Sequence, residues 1–369
     1  MRRDMVLSRR IFLKGVLILA GLALAGAVGA VLFAYSGLYN VAASRGHPLW
    51  LNWFLETGMR RSVQFHSGDA PPPDLSDPAL IALGAAHFQG GCAPCHGAPG
   101  QPINPVYEHM LPSPPSLSGH VPRWEDRELF WIVEHGLQYA GMPAWSGENR
   151  QDEVWAVAAF LRRLPEMDAK TYQALARGNA EIERASAAQF VNTGRSALHL
   201  TACARCHEHD AAPPSGLVPR LAGQPQAYLK RALNEYREDK RQSGIMEPVA
   251  VSLDESQIAK LADYYASLPA PPANNAPPGK VSAGKRIALE GDPKRGLPPC
   301  ESCHGADALA DYPRLAGQSV DYIASQLELW RSGGRAQTPQ GDLMAEIAER
   351  MSDEQIDAVA NYYAGGGGR

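Results

Sequence analysis

Cys92-Ala93-Pro94-Cys95-His96 sets the reading of the whole chain. The pattern returns as Cys203-Ala204-Arg205-Cys206-His207 and as Cys300-Glu301-Ser302-Cys303-His304, and the three runs use all six cysteines. Cys-x-x-Cys-His is the attachment signature of c-type haem. On a helix, residues three and four apart share a face. Both thiols of a run therefore reach the vinyl groups of one porphyrin, and the histidine beside the second thiol comes under the iron. The expectation is three covalently bound haem c groups, one each on Cys92 and Cys95, Cys203 and Cys206, and Cys300 and Cys303. His96, His207 and His304 are the expected axial ligands.

Other uses of cysteine explain the pattern less well. Pairs three residues apart suit ligand or redox motifs better than a disulfide framework. Structural zinc takes two Cys-x-x-Cys pairs per site, so three pairs leave one without a partner. A thioredoxin-like motif accounts for the cysteines but not for a histidine after each pair.

The opposite face of each iron decides between chemistry and electron transfer. Met142 lies 46 residues after His96, Met246 lies 39 after His207, and Met344 lies 40 after His304. Their similar separation marks them as the candidate second ligands. A thioether raises the potential of a low-spin iron and blocks the face where oxygen or peroxide binds. Met110, Met167 and Met351 compete less well: the first falls early in a loop, the second lies past the last helix of its segment, and the third aligns with Leu253. His120, His135 and His209 are read as surface or core residues, and no catalytic residue is assigned.

With 369 residues, 45% hydrophobic content, 35 glycines and 30 prolines, the chain has room for two or three small, loop-rich domains joined by stiff linkers. The formal charge is -4, and no basic cluster suggests nucleic acid. Residues 1–73 hold eight basic and three acidic side chains, whereas residues 74–170 hold six and twelve. The run from Gly15 to Tyr35 has 21 residues without a charge, enough to span a bilayer as a helix. Arg2, Arg3, Arg9, Arg10 and Lys14 precede it, which places residues 1–14 in the cytoplasm and the rest outside. A cleaved signal peptide is the alternative, but its apolar region is normally shorter. Ser8-Arg9-Arg10-Ile11-Phe12-Leu13-Lys14 also fits a twin-arginine export signal. That route carries folded cargo, so the arginine pair is read as orienting the helix. Trp50, Trp53, Phe54, Arg60 and Arg61, in the juxtamembrane stretch 36–73, suit the headgroup layer.

Three segments follow. In 74–170, Asp77 caps a helix to Gln89, further helices run over Glu125–Gly136 and from about Gln151 to Leu164, and Met142 falls between these two. In 176–270 a first helix contains Gly194 and Leu198, PRLAGQ follows the haem run, and Ser252 with Glu255 opens a last helix. Segment 280–369 repeats PRLAGQ and the closing helix, so one structural unit is used twice. No strand-like alternation appears.

CAPCHGAPG, GDPKRGLPPCESCHG, the two PRLAGQ runs and ELFWIVEHGLQYAGMPAW carry a resemblance to class I cytochrome c domains in tandem. It extends over residues 74–369. The last two segments resemble the paired domains of diheme cytochromes c, and the first resembles cytochrome domains of membrane-bound respiratory and dehydrogenase-linked chains. The resemblance implies an all-α fold, His/Met ligation at the positions above, and terminal helices packed through Trp155 and Phe160, Tyr264 and Tyr265, and Tyr362 and Tyr363. Ala288 stands where the first-helix aromatic of the third segment would fall.

The function implied is that of a triheme cytochrome c. It would be single-pass in a bacterial inner membrane, with its cytochrome domains in the periplasm. It would carry single electrons in a respiratory chain, from a quinol- or substrate-oxidising enzyme to a terminal oxidase or soluble cytochrome. The alternative is a dedicated electron-accepting subunit of a membrane-bound dehydrogenase complex. A haem peroxidase or nitrite reductase needs an open iron site, which three candidate methionines argue against.

Overall fold

Apolar spacing, capping side chains and proline breaks divide this chain into helices. The computed structural model describes residues 2–69, 71–177, 203–204, 206–207, 215–273, 277–305 and 310–368. Among them there is no β-strand, only the isolated bridges Ala98–Gln101, Leu137–Met142 and Asp292–Leu297. Residues 1–56 with 109–112 form one compact part, and residues 57–108 with 113–369 form another.

In the first part, α1 (Arg2–Ser36) is apolar from Phe12 to Ser36, and the side chains of that stretch are exposed. That stretch is long and apolar enough to cross a membrane, a property that signal sequences share. After it, the Tyr39 hydroxyl and His47 Nδ1 share a hydrogen bond at 2.7 Å. Helix α2 (Leu49–His66) carries Trp50, Trp53 and Phe54 exposed.

The second part holds all three Cys-x-x-Cys-His runs. Helix α3 (Pro78–His87) starts where expected: Pro78 fills the first turn, and Asp77 accepts the Ala79 N–H at 2.9 Å. A π-helical turn, Phe88–Cys92, leads into the haem motif. Helix α4 (Asp126–His135) is capped by Glu125, whose own N–H is held by Glu128. Helices α5 (Gln151–Arg163) and α6 (Ala169–Arg177) complete the segment. Helix α3 crosses α5 at Gly84, where a Cβ would lie 1.9 Å from the Ala156 carbonyl oxygen. Phe88, Phe160 and Tyr172 fill the core beside this crossing. Of the expected terminal-helix aromatics, Phe160 packs on Phe88, whereas Trp155 stacks on Phe130 of α4 at 4.2 Å.

The next helices are α7 (Gln226–Arg237), α8 (Met246–Val251) and α9 (Glu255–Ser267). The helix expected around Gly194 and Leu198 lies outside the described residues. Ser252 does not cap α9. Its hydroxyl donates to Val249 O at 2.6 Å and closes α8. Asp254 caps instead, accepting from the Gln257 N–H while Gln257 reaches back to the Asp254 N–H. A carboxylate placed for both bonds of a capping box displaces a hydroxyl two residues earlier. Tyr265 is buried, with Tyr264 packed against it.

Helices α10 (Pro278–Glu290), α11 (Val320–Arg331), α12 (Pro339–Glu349) and α13 (Asp353–Ala364) form the last segment. The crossing seen at Gly84 recurs: a Cβ on Gly284 would lie 2.0 Å from the Ala358 oxygen. Ala288, four residues on, is fully buried in the core that holds Tyr362 and Tyr363, so these two rings supply the bulk that Phe88 supplies in the first segment.

The identical PRLAGQ runs face each other. Gln318 accepts the Arg220 N–H at 2.9 Å and donates to Arg220 O at 2.7 Å. Gln224 does the same to Arg314, at 3.0 and 2.8 Å. Each arginine also donates to the glycine carbonyl of the other run, at 3.0 Å in both directions. Such reciprocity is the mark of a two-fold interface, here built within one chain.

Candidate functional site

The described residues of the motifs are largely helical. Cys95 and His96 lie on Ala93–His96, and Cys303 and His304 lie on Glu301–His304. All six cysteines are described, half-buried and in no disulfide. Burial pushes the Cys92 thiol up to about 12, with Cys95 adding to it. Burial likewise raises Cys300 to about 11. These thiols are held neutral in apolar surroundings rather than activated as nucleophiles.

One contact recurs at every motif. His96 Nδ1 lies 2.9 Å from Pro115 O, His207 Nδ1 lies 2.9 Å from Pro219 O, and His304 Nδ1 lies 2.9 Å from Pro313 O. A carbonyl only accepts, so Nδ1 must carry the proton. The tautomer is thereby fixed, and the Nε2 lone pair is left for a metal. Burial lowers the pKa of all three histidines, which keeps the rings neutral. The two later prolines open the PRLAGQ runs, and Pro115 lies in the proline-rich loop of the first segment. The repeated position of a proline after each motif was the available signal, though it does not reveal that the carbonyl is the working group.

The second and third sets come together. Cys203, Cys206, His207 and Met246 line a cavity of 740 Å3, and so do Cys300, Cys303, His304 and Met344. The first set does not line it. Met142 is half-buried, and its carbonyl accepts the Leu137 N–H at 3.1 Å, with Gly136 packed against it. Met246 opens α8, and Met344 lies in α12 against the core of its segment. Met351 and Leu253 are buried at 6% and 4% exposure, as matching core positions should be. Met167 packs on the first core. His120 Nδ1 bonds Ser116 O at 2.9 Å, His135 sits 3.3 Å from Glu134, and His209 lies outside the described residues.

Two arginines that sequence reasoning passed over also line the cavity. Arg241 and Arg335 hold the same place in the two repeats, each over an aromatic ring: Tyr236 at 4.6 Å and Trp330 at 4.1 Å. Burial opposes the charge on Arg241, and the phenols of Tyr236, Tyr228 and Tyr322 outweigh it, leaving its pKa raised. Arg335 is lowered by burial and by Arg241. Besides burial, the groups acting most strongly are phenols on Arg241, and Arg241 with the same phenols on Arg335. Two neighbouring cations, one of them buried, call for an anion. A porphyrin carrying carboxylates fits a cavity lined in this way by thiols, imidazoles, thioethers and guanidinium groups.

Residues 79–161 match the family model described as cytochrome c oxidase, cbb3-type, subunit III, and residues 191–269 match that described as cytochrome c. A thiosulfate dehydrogenase electron acceptor of Stutzerimonas stutzeri (strain A1501) is 39% identical over 171 residues, 44% of this chain and 78% of that protein. Cytochrome c4 of Thiocapsa roseopersicina is 35% identical over 168 residues, 44% of this chain and 86% of that protein. The solved cytochrome c4 of Acidithiobacillus ferrooxidans shares 33% identity over 44% of this chain and 97% of its own, with a TM-score of 0.41. The chain belongs to the class I c-type cytochrome family, whose members carry electrons on covalently bound haem c.

Proposed function

We propose that this is a membrane-anchored triheme cytochrome c. Its haem-bearing units are 74–170, 176–270 and 280–369, and residues 15–35 anchor it in a bacterial inner membrane with the units in the periplasm. Cys92 and Cys95, Cys203 and Cys206, and Cys300 and Cys303 hold the porphyrins through thioether bonds. His96, His207 and His304, together with Met142, Met246 and Met344, would supply the iron ligands. Haem c, when bound, supplies a one-electron iron couple. The chain orients the imidazoles, excludes water from the cavity, and places Arg241 and Arg335 to neutralise propionates.

The observation that carries this reading is the threefold histidine-to-proline bond, which leaves an unprotonated nitrogen at every motif. A redox titration of the purified chain tests it, with three one-electron steps expected. A single step, or a reduced form that binds carbon monoxide fully, contradicts it.

In function it passes single electrons between a quinol- or substrate-oxidising enzyme and a terminal oxidase or soluble cytochrome. The likeness to thiosulfate dehydrogenase electron acceptors favours a narrower second reading, in which a dehydrogenase hands its electrons directly to this chain. Mixing the oxidised cytochrome with such a dehydrogenase and its substrate separates the two: direct reduction supports the second.

A further inference from the structure

Glu153 is a carboxylate in α5 with 3% exposure, at the wall of the cavity described above and given no role there so far. Burying a carboxylate is costly unless cations and donors surround it. Four do. Trp145 Nε1 donates to it at 3.1 Å, Ser243 Oγ at 2.6 Å and the Gly244 N–H at 2.7 Å, while the Arg150 guanidinium lies 2.8 Å away.

Three of these donors bracket the candidate methionines. Trp145 comes three residues after Met142, and Ser243 and Gly244 come three and two before Met246. Ser243 Oγ also accepts the Met246 N–H at 3.3 Å, so the chain of bonds runs from the carboxylate to the backbone of that methionine. Packing repeats the pattern. The Trp145 ring lies so close over Gly244 that a Cβ there would fall 2.2 Å from Trp145 Cε2. Around it, Arg150 Nη1 donates to Gln242 O at 2.7 Å and the Glu148 N–H to Gln242 Oε1 at 2.8 Å. One buried anion thus grips two loops that lie about a hundred residues apart.

We propose that Glu153 is a positioning residue that docks the Met142 loop of the first unit onto the Met246 loop of the second. The first haem site is thereby held against the second by contacts. This rests on the three-haem reading above, in which Met142 and Met246 face iron.

The test is Glu153→Gln in the full haem-loaded chain, with hydrogen–deuterium exchange and a redox titration run together. Exchange should rise about tenfold in both 141–147 and 241–247, while 338–344 in the third unit keeps its rate. Two of the three one-electron steps should move and one should stay. Ser243→Ala keeps the charge and removes one donor, so it should open the same two stretches to a smaller extent if Glu153→Gln fails to fold. Exchange that rises in one stretch alone, or in neither, overturns the docking role. If both stretches open and every step stays put, the tie is supported, and it is the assignment of Met142 and Met246 to iron that fails.

Discussion

Gln224 and Gln318 hold the same place in the two PRLAGQ runs, and each bonds both backbone groups of the arginine in the other run. Both are buried, at 5% and 2% exposure. Each amide therefore satisfies one backbone donor and one backbone acceptor of the facing run. Replacing Gln318 by Ala strands the Arg220 N–H and carbonyl at a cost of about 1–3 kcal/mol each. The melting temperature should fall by about 3–8 °C, as read by calorimetry. Gln224→Ala should match it, because the two bonds are related by symmetry; an unchanged midpoint in either variant would refute the pairing.

Gly84 and Gly284 mark the two helix crossings, where no Cβ fits. Gly84→Ala drives a methyl into the backbone of Ala156, and α3 and α5 must separate. Overpacking of a tight core costs about 1–3 kcal/mol. The cost here should reach the upper end, because the obstacle is backbone rather than a side chain. Chemical denaturation of both alanine variants checks this, and a loss below about 1 kcal/mol would contradict the close crossing.

Arg241 and Arg335 place positive charge in the cavity shared by the second and third sites. A nearby cation favours the reduced iron, which carries one positive charge fewer. Arg241→Met should therefore lower the potential of one or two steps, on the order of 60 mV for each tenfold change in the one-electron equilibrium. The step belonging to the first unit should stay. Spectroelectrochemistry reads this directly, and a rise in potential would invert the proposed role.

Asp168 accepts the Thr171 N–H at 2.7 Å ahead of α6, the helix that buries Tyr172 against Phe88 and Phe160. That backbone bond, with the Thr171 hydroxyl, holds the Asp168 carboxyl below its usual value of 3.8. On acidification the unfolded carboxyl takes up its proton first. The stabilisation is thus complete above the unfolded value and is lost as pH falls through the lower folded one. Asp168→Asn should flatten that part of the acid profile while keeping the cap, as followed by amide exchange in 169–177. A profile unchanged from the parent chain would remove Asp168 from the account.

Much of this was legible in the chain itself. Asp77-Pro78, the stretch from Glu125, and Gln151 before a hydrophobic period gave three helix starts to within a residue, because capping and periodicity are local. Local signals also misled: Ser252 looked like a cap, but Asp254 had the better geometry. The family resemblance, not a local signal, placed Trp155 in the terminal-helix packing; its ring stacks on Phe130. The histidine-to-proline bonds, the reciprocal glutamines and the Glu153 tie join residues 9–98 positions apart, and no spacing rule marks such partners. The exact repeat of PRLAGQ showed that something was reused, though not that its two copies meet.

Intact-mass measurement of the denatured chain, before and after reaction with a thiol reagent, tests the central claim most directly. The expected mass lies above that of the polypeptide by three haem groups, with no thiol left to react among the six cysteines. A mass increase of two haems or fewer, with a Cys pair free to react, would contradict it.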